Sequence, residues 1–248
     1  MAYDFIRDAE QLISGQIFLI NKPYQWTSFD VVRKLKGALS AFYKSRHAGE
    51  KEIRKLKIGH AGTLDPLATG LLILCTGKFT KRISEIQDAE KEYTGTFVLG
   101  ANTVSHDLES EVIARPNVRL PKAEELLSIA NQFIGIQMQT PPAHSAVKVG
   151  GKRAYQLARQ GKEVEIKPKE IEIREFEITR IELPEVDFRV VCTKGTYIRT
   201  LAFDFGEKLG TGAYLSALCR TRIGEYKLQN AVGPIEFSSQ ITDKQIIS

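Results

Sequence analysis

Asp65 is the residue of this chain best placed to do chemistry. It lies in Gly59-His60-Ala61-Gly62-Thr63-Leu64-Asp65-Pro66-Leu67-Ala68-Thr69-Gly70, a glycine-rich turn running into the apolar stretch Leu71-Leu72-Ile73-Leu74-Cys75. The ring of Pro66 clashes with the backbone of the residue before it and pushes Asp65 toward an extended conformation. Gly59, Gly62 and Gly70 open backbone angles closed to other residues and let another chain come close. A carboxylate on a bent, uncrowded loop backed by a buried strand can serve as a nucleophile or a base. The same residues also read as a turn-forming Asp-Pro dipeptide, which is common in loops.

The whole string resembles the catalytic loop of the pseudouridine synthases, specifically the TruB branch with its pattern G-H-x-G-x-L-D-P-x-A-x-G, and every fixed position of that pattern is met. The resemblance implies that Asp65 is the one indispensable catalytic residue. Asn21-Lys22-Pro23 with Thr27-Ser28 is similar to the first motif of the family, although Tyr24-Gln25-Trp26 stands where a glycine is usual. Lys22 would then contact RNA or the catalytic loop, with a plain surface lysine as the alternative. Tyr93 opens a stretch matching Y-x-x-x-x-x-L-G, which implies an aromatic packed on the target base; from alternation alone it is a core side chain. Thr103, Ser105 and Asp107 stand for the following T-x-T-x-D, implying a segment that lines the RNA cleft; a solvated loop is the alternative.

Arg199 falls in Lys194-Gly195-Thr196-Tyr197-Ile198-Arg199, which matches K-G-T-Y-I-R. The resemblance implies that this arginine pairs with the catalytic acid, and a nearby guanidinium does favour the ionised carboxylate. Leu218 aligns with a leucine on the floor of the base pocket. His60 would fill space vacated by a flipped nucleotide, or be a satisfied loop histidine, and Gly62 and Thr63 complete the substrate-binding set. The stretch from Pro141 to Arg159 is similar to P-P-x-x-S-A-x-K and G-x-R-A-Y-x-x-A-R, with His144 where an aromatic is usual.

The implied reaction isomerises uridine to pseudouridine at uridine 55 in the T-arm loop of tRNA, without redox change, metal or organic cofactor. Asp65 is expected as the nucleophile; attack on the base, attack on the sugar and assisted expulsion of uracil all remain open. The uridine must leave its stack at a cost of a few kcal/mol, and stacking on Tyr93 would return about 1–3 kcal/mol. A sister synthase acting on another RNA would share this core. A noncatalytic RNA-binding protein would explain charge and aromatics, but not Asp65, Tyr93 and Arg199 together.

These residues need a scaffold, and 248 residues with 42% hydrophobic content can supply a substantial core. The net charge of +5 suits a polyanionic partner. Between Tyr43 and Lys57 six cations face only Glu50 and Glu52, a basic run able to hold a phosphate backbone. Cys75, Cys192 and Cys219 are odd in number and lack metal-ligand spacing, so they read as buried hydrophobes in a reduced compartment. No apolar run approaches the ~20 residues a membrane span needs, and the acidic start is unlike a signal peptide. A cytoplasmic monomer acting on tRNA is expected.

Strands are predicted over 16–20, 71–76, 92–100 and, with two slips of phase, 164–191; helices over 28–39 from a Ser28 cap, 78–87, 122–133, 150–159 and after Gly195. Together they predict a mixed α+β fold: a mostly antiparallel central sheet flanked by helices and loops around an RNA-binding cleft. Residues 1–220 are expected to form the catalytic domain, with a basic insertion at 43–57. The 28 residues after Arg220 are expected to form a short segment rather than a full RNA-binding PUA domain.

Overall fold

A computed structural model describes residues 10–47, 56–142, 145, 148–149, 152–153 and 166–246. In chain order its main elements are α1 (Glu10–Ser14), β1 (Ile17–Lys22), α2 (Ser28–Arg46), β2 (Ile58–Ala61), β3 (Thr69–Thr76), α3 (Ile83–Asp88) and β4 (Lys91–Leu99). There follow β5 (Ala101–Asn102), β6 (Ile113–Ala114), α4 (Ala123–Asn131), β7 (Gly135–Gln139), β8 (Lys148–Val149), β9 (Lys152–Arg153), β10 (Lys169–Glu182) and β11 (Glu185–Cys192). The last are α5 (Ile198–Leu209), β12 (Ala213–Ile223), β13 (Tyr226–Lys227) and α6 (Pro234–Ile246). The chain divides into two compact units, Met1–Ala89 with Cys219–Ser248, and Glu90–Leu218. His144, most of the basic run and most of the expected helix at 150–159 lie outside the described residues; within that span Lys152–Arg153 is not helical but pairs with β8 as strand β9. No helix among the described residues is long and apolar enough to cross a membrane.

In the first unit β3 is the central strand. It pairs antiparallel with β1 and β2 and parallel with β12 through Cys219↔Thr69 and Arg220↔Gly70. Both faces of β3 are covered, which is why its sequence is a continuous apolar run rather than an alternation. Leu72 and Leu74 pack with Val31, Leu35 and Leu39 of α2 and Phe237 of α6, while Leu71, Ile73 and Cys75 meet Ile86 and Ile223. Helix α2 outruns its predicted end because Phe42 and Tyr43 continue the buried stripe of Val31, Leu35 and Leu39. Its cap is Thr27, not Ser28: Thr27 Oγ1 accepts from the Asp30 amide while the Asp30 carboxylate accepts from the Thr27 amide, each at 3.0 Å. The C-terminal segment folds into this unit, with Phe237 edge-on to Phe18 at 5.0 Å.

In the second unit the neighbours run β12, β4, β11, β10, β7, and the last three pairings are antiparallel. Phe97, Phe188, Phe176 and Phe205 form an aromatic core under α4 and α5, with Phe97 stacked on Phe188 at 4.1 Å. Within the stretch predicted as strand over 164–191, β10 and β11 form a hairpin from Lys169 onward, and its register shifts between Ile173/Glu175 and Ile178/Arg180, where the apolar phase slips in the sequence. The expected helix over 78–87 is divided: Gly77–Arg82 is a 3-10 turn and only Ile83–Asp88 is α-helical.

Candidate active site

Asp65 sits in the bend of the β2–β3 hairpin, half-buried and turned by an Ala68 amide bond to the Asp65 carbonyl at 3.1 Å. Strand β2, absent from the sequence expectations, narrows the glycine-rich turn to residues 62–68, entered at Gly62 with φ +91°. Three side chains hold this bend from behind. Ser28 Oγ donates to the Leu64 carbonyl at 3.1 Å and accepts from the Leu64 amide at 2.9 Å, which is the use the helix makes of a serine freed from capping. Lys22 is fully buried, and its Nζ donates to the carbonyls of Trp26 at 2.6 Å, Pro23 at 3.0 Å and Pro66 at 3.2 Å. Arg220, 1% exposed, donates from Nε to the Leu71 carbonyl at 2.8 Å and from Nη2 to the Gly62 carbonyl at 3.0 Å.

These contacts set the local electrostatics. Burial pushes the Lys22 ammonium down to about 8; the negative charge of Asp65 opposes that shift and the Arg220 guanidinium adds to it. Burial likewise holds the His60 imidazole below its ordinary value, against a backbone contact with Gly62 and with help from Arg220. Burial and the Arg220 charge both favour the neutral imidazole. Of the readings open for Lys22, the structure places it against the Asp65 loop rather than at the surface.

Arg199 occupies the first turn of α5 and is 4% exposed, which removes the surface-cation alternative. Its Nε lies 3.6 Å from Asp107 Oδ2 and its Nη1 donates to the Ser105 carbonyl at 3.3 Å. Thr103, Ser105 and Asp107 are all buried, so the T-x-S-x-D stretch is no solvated loop. Gly195 makes the turn into α5 with φ +82°. Gln139 of β7 then takes the place of a side-chain cap, accepting from the Tyr197 amide at 2.8 Å and donating to the Tyr197 carbonyl at 3.1 Å. His106 stacks on Phe203 at 4.3 Å; burial and, after it, the Arg199 charge push its pKa down to about 4.

Tyr93 and Leu218 both pack at the margin of the aromatic core, on the neighbouring strands β4 and β12. Ser216 Oγ donates across these strands to the Thr96 carbonyl at 3.2 Å. The structure thus gathers Asp65, Lys22, His60, Gly62 and Thr63 around one bend of the first unit, and places Tyr93, Arg199 and Leu218 in the second. Sequence reasoning missed Arg220, the second use of Ser28, and Gln139. Buried positions on β12 run Ala213, Leu215, then Arg220, Ile223, so alternation does not mark Arg220 as inward.

Comparison with known proteins agrees with this architecture. Residues 50–198 match the model of the TruB family pseudouridylate synthase (N terminal domain). The tRNA pseudouridine synthase B of Flavobacterium johnsoniae is 51% identical over 223 residues, covering 90% of this chain and 94% of that protein. The tRNA pseudouridine synthase B of Chlorobaculum tepidum is 50% identical over 229 residues, covering 92% and 91%. A chain in the crystal structure of a Cbf5-Nop10-Gar1 complex superposes with a TM-score of 0.64 at 29% identity, covering 89% of this chain. This chain spans about half of that one, 52%. The chain belongs to the TruB family of pseudouridylate synthases.

Proposed function

We propose that this chain isomerises uridine to pseudouridine in the T-arm loop of tRNA, at position 55. The bond from ribose C1′ to N1 breaks, the bond from C1′ to C5 forms, C5 loses a proton and N1 gains one, so nothing is oxidised and no group comes from outside. Asp65 is the nucleophile, Tyr93 stacks on the extruded base, and Arg199 supplies positive charge that favours an ionised acid. His60, Gly62, Thr63 and Leu218 shape the substrate pocket, and Lys22 serves it through the loop it holds. The catalytic body spans residues 1–220, acting as a monomer in the cytoplasm without metal or organic cofactor.

The observation that carries this reading is a partly buried aspartate on a bend anchored at four backbone positions, Gly62, Leu64, Pro66 and Leu71. Such anchoring suits a group that must meet a reacting atom within a fraction of an ångström. The test is mapping of pseudouridine at nucleotide resolution in total RNA from cells with and without the gene, together with assay of the purified chain on a T-arm stem-loop. Loss of the T-arm mark alone is the expected result. Loss at a different RNA would reassign the substrate, and no loss anywhere would end the proposal.

A further inference from the structure

We infer that Arg220 is a positioning residue for the catalytic carboxylate: one buried guanidinium ties together the two ends of the Asp65 loop, and the rate of the chemical step depends on that tie. The inference rests on the function proposed above.

The β2–β3 ladder closes with the pair Ala61↔Ile73. Beyond it the backbone opens, and the next rung is made by a side chain. Arg220 reaches Gly62 on one arm and Leu71 on the other, with Asp65 between them in the chain. The planar fork of arginine holds two acceptors at a fixed separation, which the single ammonium of lysine cannot reproduce. Space for this arrangement comes from glycine. A Cβ on Gly70 would lie 2.4 Å from the Arg220 carbonyl oxygen and 2.8 Å from its amide nitrogen, and a Cβ on Gly62 would lie 3.4 Å from Nη1. Both glycines also have left-handed backbone, φ +91° and +100°. The glycine spacing of the motif is thus what lets the strand bearing Arg220 lie against the loop.

Both hydrogen bonds of Arg220 go to neutral carbonyls. A buried charge so partnered contributes little net stability for its desolvation, which argues that its geometry is what it supplies.

The experiment compares the wild-type chain, Asp65→Asn and Arg220→Lys in single-turnover assays on a T-arm stem-loop, with enzyme in excess so that the rate per bound RNA is read. Arg220→Lys keeps the charge and loses one arm. It is expected to unfold cooperatively and to bind the stem-loop within about threefold of wild type, while its rate falls about 100-fold, the scale of a 1 Å misplacement. A purely structural arginine would lower the melting temperature and leave the rate per bound RNA alone; a rate within about twofold of wild type overturns the inference. If the wild-type chain forms no pseudouridine in this assay, the functional reading fails instead. Should the variant not fold, amide exchange in the wild-type chain decides: the Ala68 amide is expected to exchange slowly in the free protein, and exchange at the free-peptide rate overturns the tie.

Discussion

Each unit buries an arginine, and the two differ in whether a carboxylate stands among their partners. Arg199 in the second unit faces a carboxylate, Asp107, that is as buried as itself. Arg220 in the first unit donates to main-chain carbonyls, and so does its neighbour Lys22. Carbonyl partners fix position without cancelling charge. The bend that carries Asp65 is therefore backed by two basic side chains, and the charge of Asp65 acts on one of them, Lys22. Arg199 has a buried carboxylate opposite it, whereas Arg220 and Lys22 are held by carbonyls, so charge changes in the two places should have different consequences.

The largest expected effect is at the loop. Asp65→Asn should lower the single-turnover rate of pseudouridine formation by at least about a thousand-fold, as removal of a covalent catalyst does elsewhere, with stem-loop affinity little changed. A near-normal rate would leave the positive backing with nothing to serve. Next comes Asp107→Asn, which strips the carboxylate from a buried pair and should cost about 3 kcal/mol of stability in urea unfolding. An unchanged midpoint would mean that Arg199 is balanced by something else.

Lys22 gives a pH-dependent contrast. The unfolded chain holds the Lys22 proton to about pH 10.5 and the folded chain only to about 8, so between those values the unfolded state binds more protons and stability rises with pH. Below pH 8 the full desolvation cost is present. The difference in urea midpoint between wild type and Lys22→Met should therefore shift in favour of wild type as pH climbs from 8 to 10, and a flat difference would refute the depressed pKa. The smallest effect belongs to the surface of the second unit, where Arg180 pairs with Asp187 at 2.6 Å and with Glu185 at 3.0 Å. Exposed pairs of this kind are worth about 0–1 kcal/mol, so Arg180→Ala should shift the urea midpoint far less than Asp107→Asn does.

What the sequence revealed depended on whether the signal was local. Two slips in the apolar phase of the 164–191 stretch mark the two register shifts of the β10–β11 hairpin, because side-chain period and sheet face are coupled residue by residue. The run Leu71 to Cys75 reads as a buried strand for the same reason. Ser28 and Thr27 both fit a helix start, and only the reciprocal bond with Asp30 separates them. Asp65 could be singled out from its own loop, but two of its three supports, Ser28 and Arg220, could not. Lys22 is marked only by its motif, with a surface lysine as the alternative, and Ser28 and Arg220 are distant in sequence and look like ordinary polar residues. Their burial depends on carbonyls that come within reach only after the strands pair.

Strand β12 is one continuous stretch from Ala213 to Ile223, and the division between units falls between its residues Leu218 and Cys219. Its early part serves the second unit through Ser216 and its later part serves the first through Arg220. Evolution can lengthen a surface loop at little cost, but a single-residue insertion here would turn every following side chain over. Length variation among relatives should consequently avoid this strand, and an engineered duplication of Cys219 should disable the chain more thoroughly than an insertion of the same size in the exposed turn at Pro116 and Asn117.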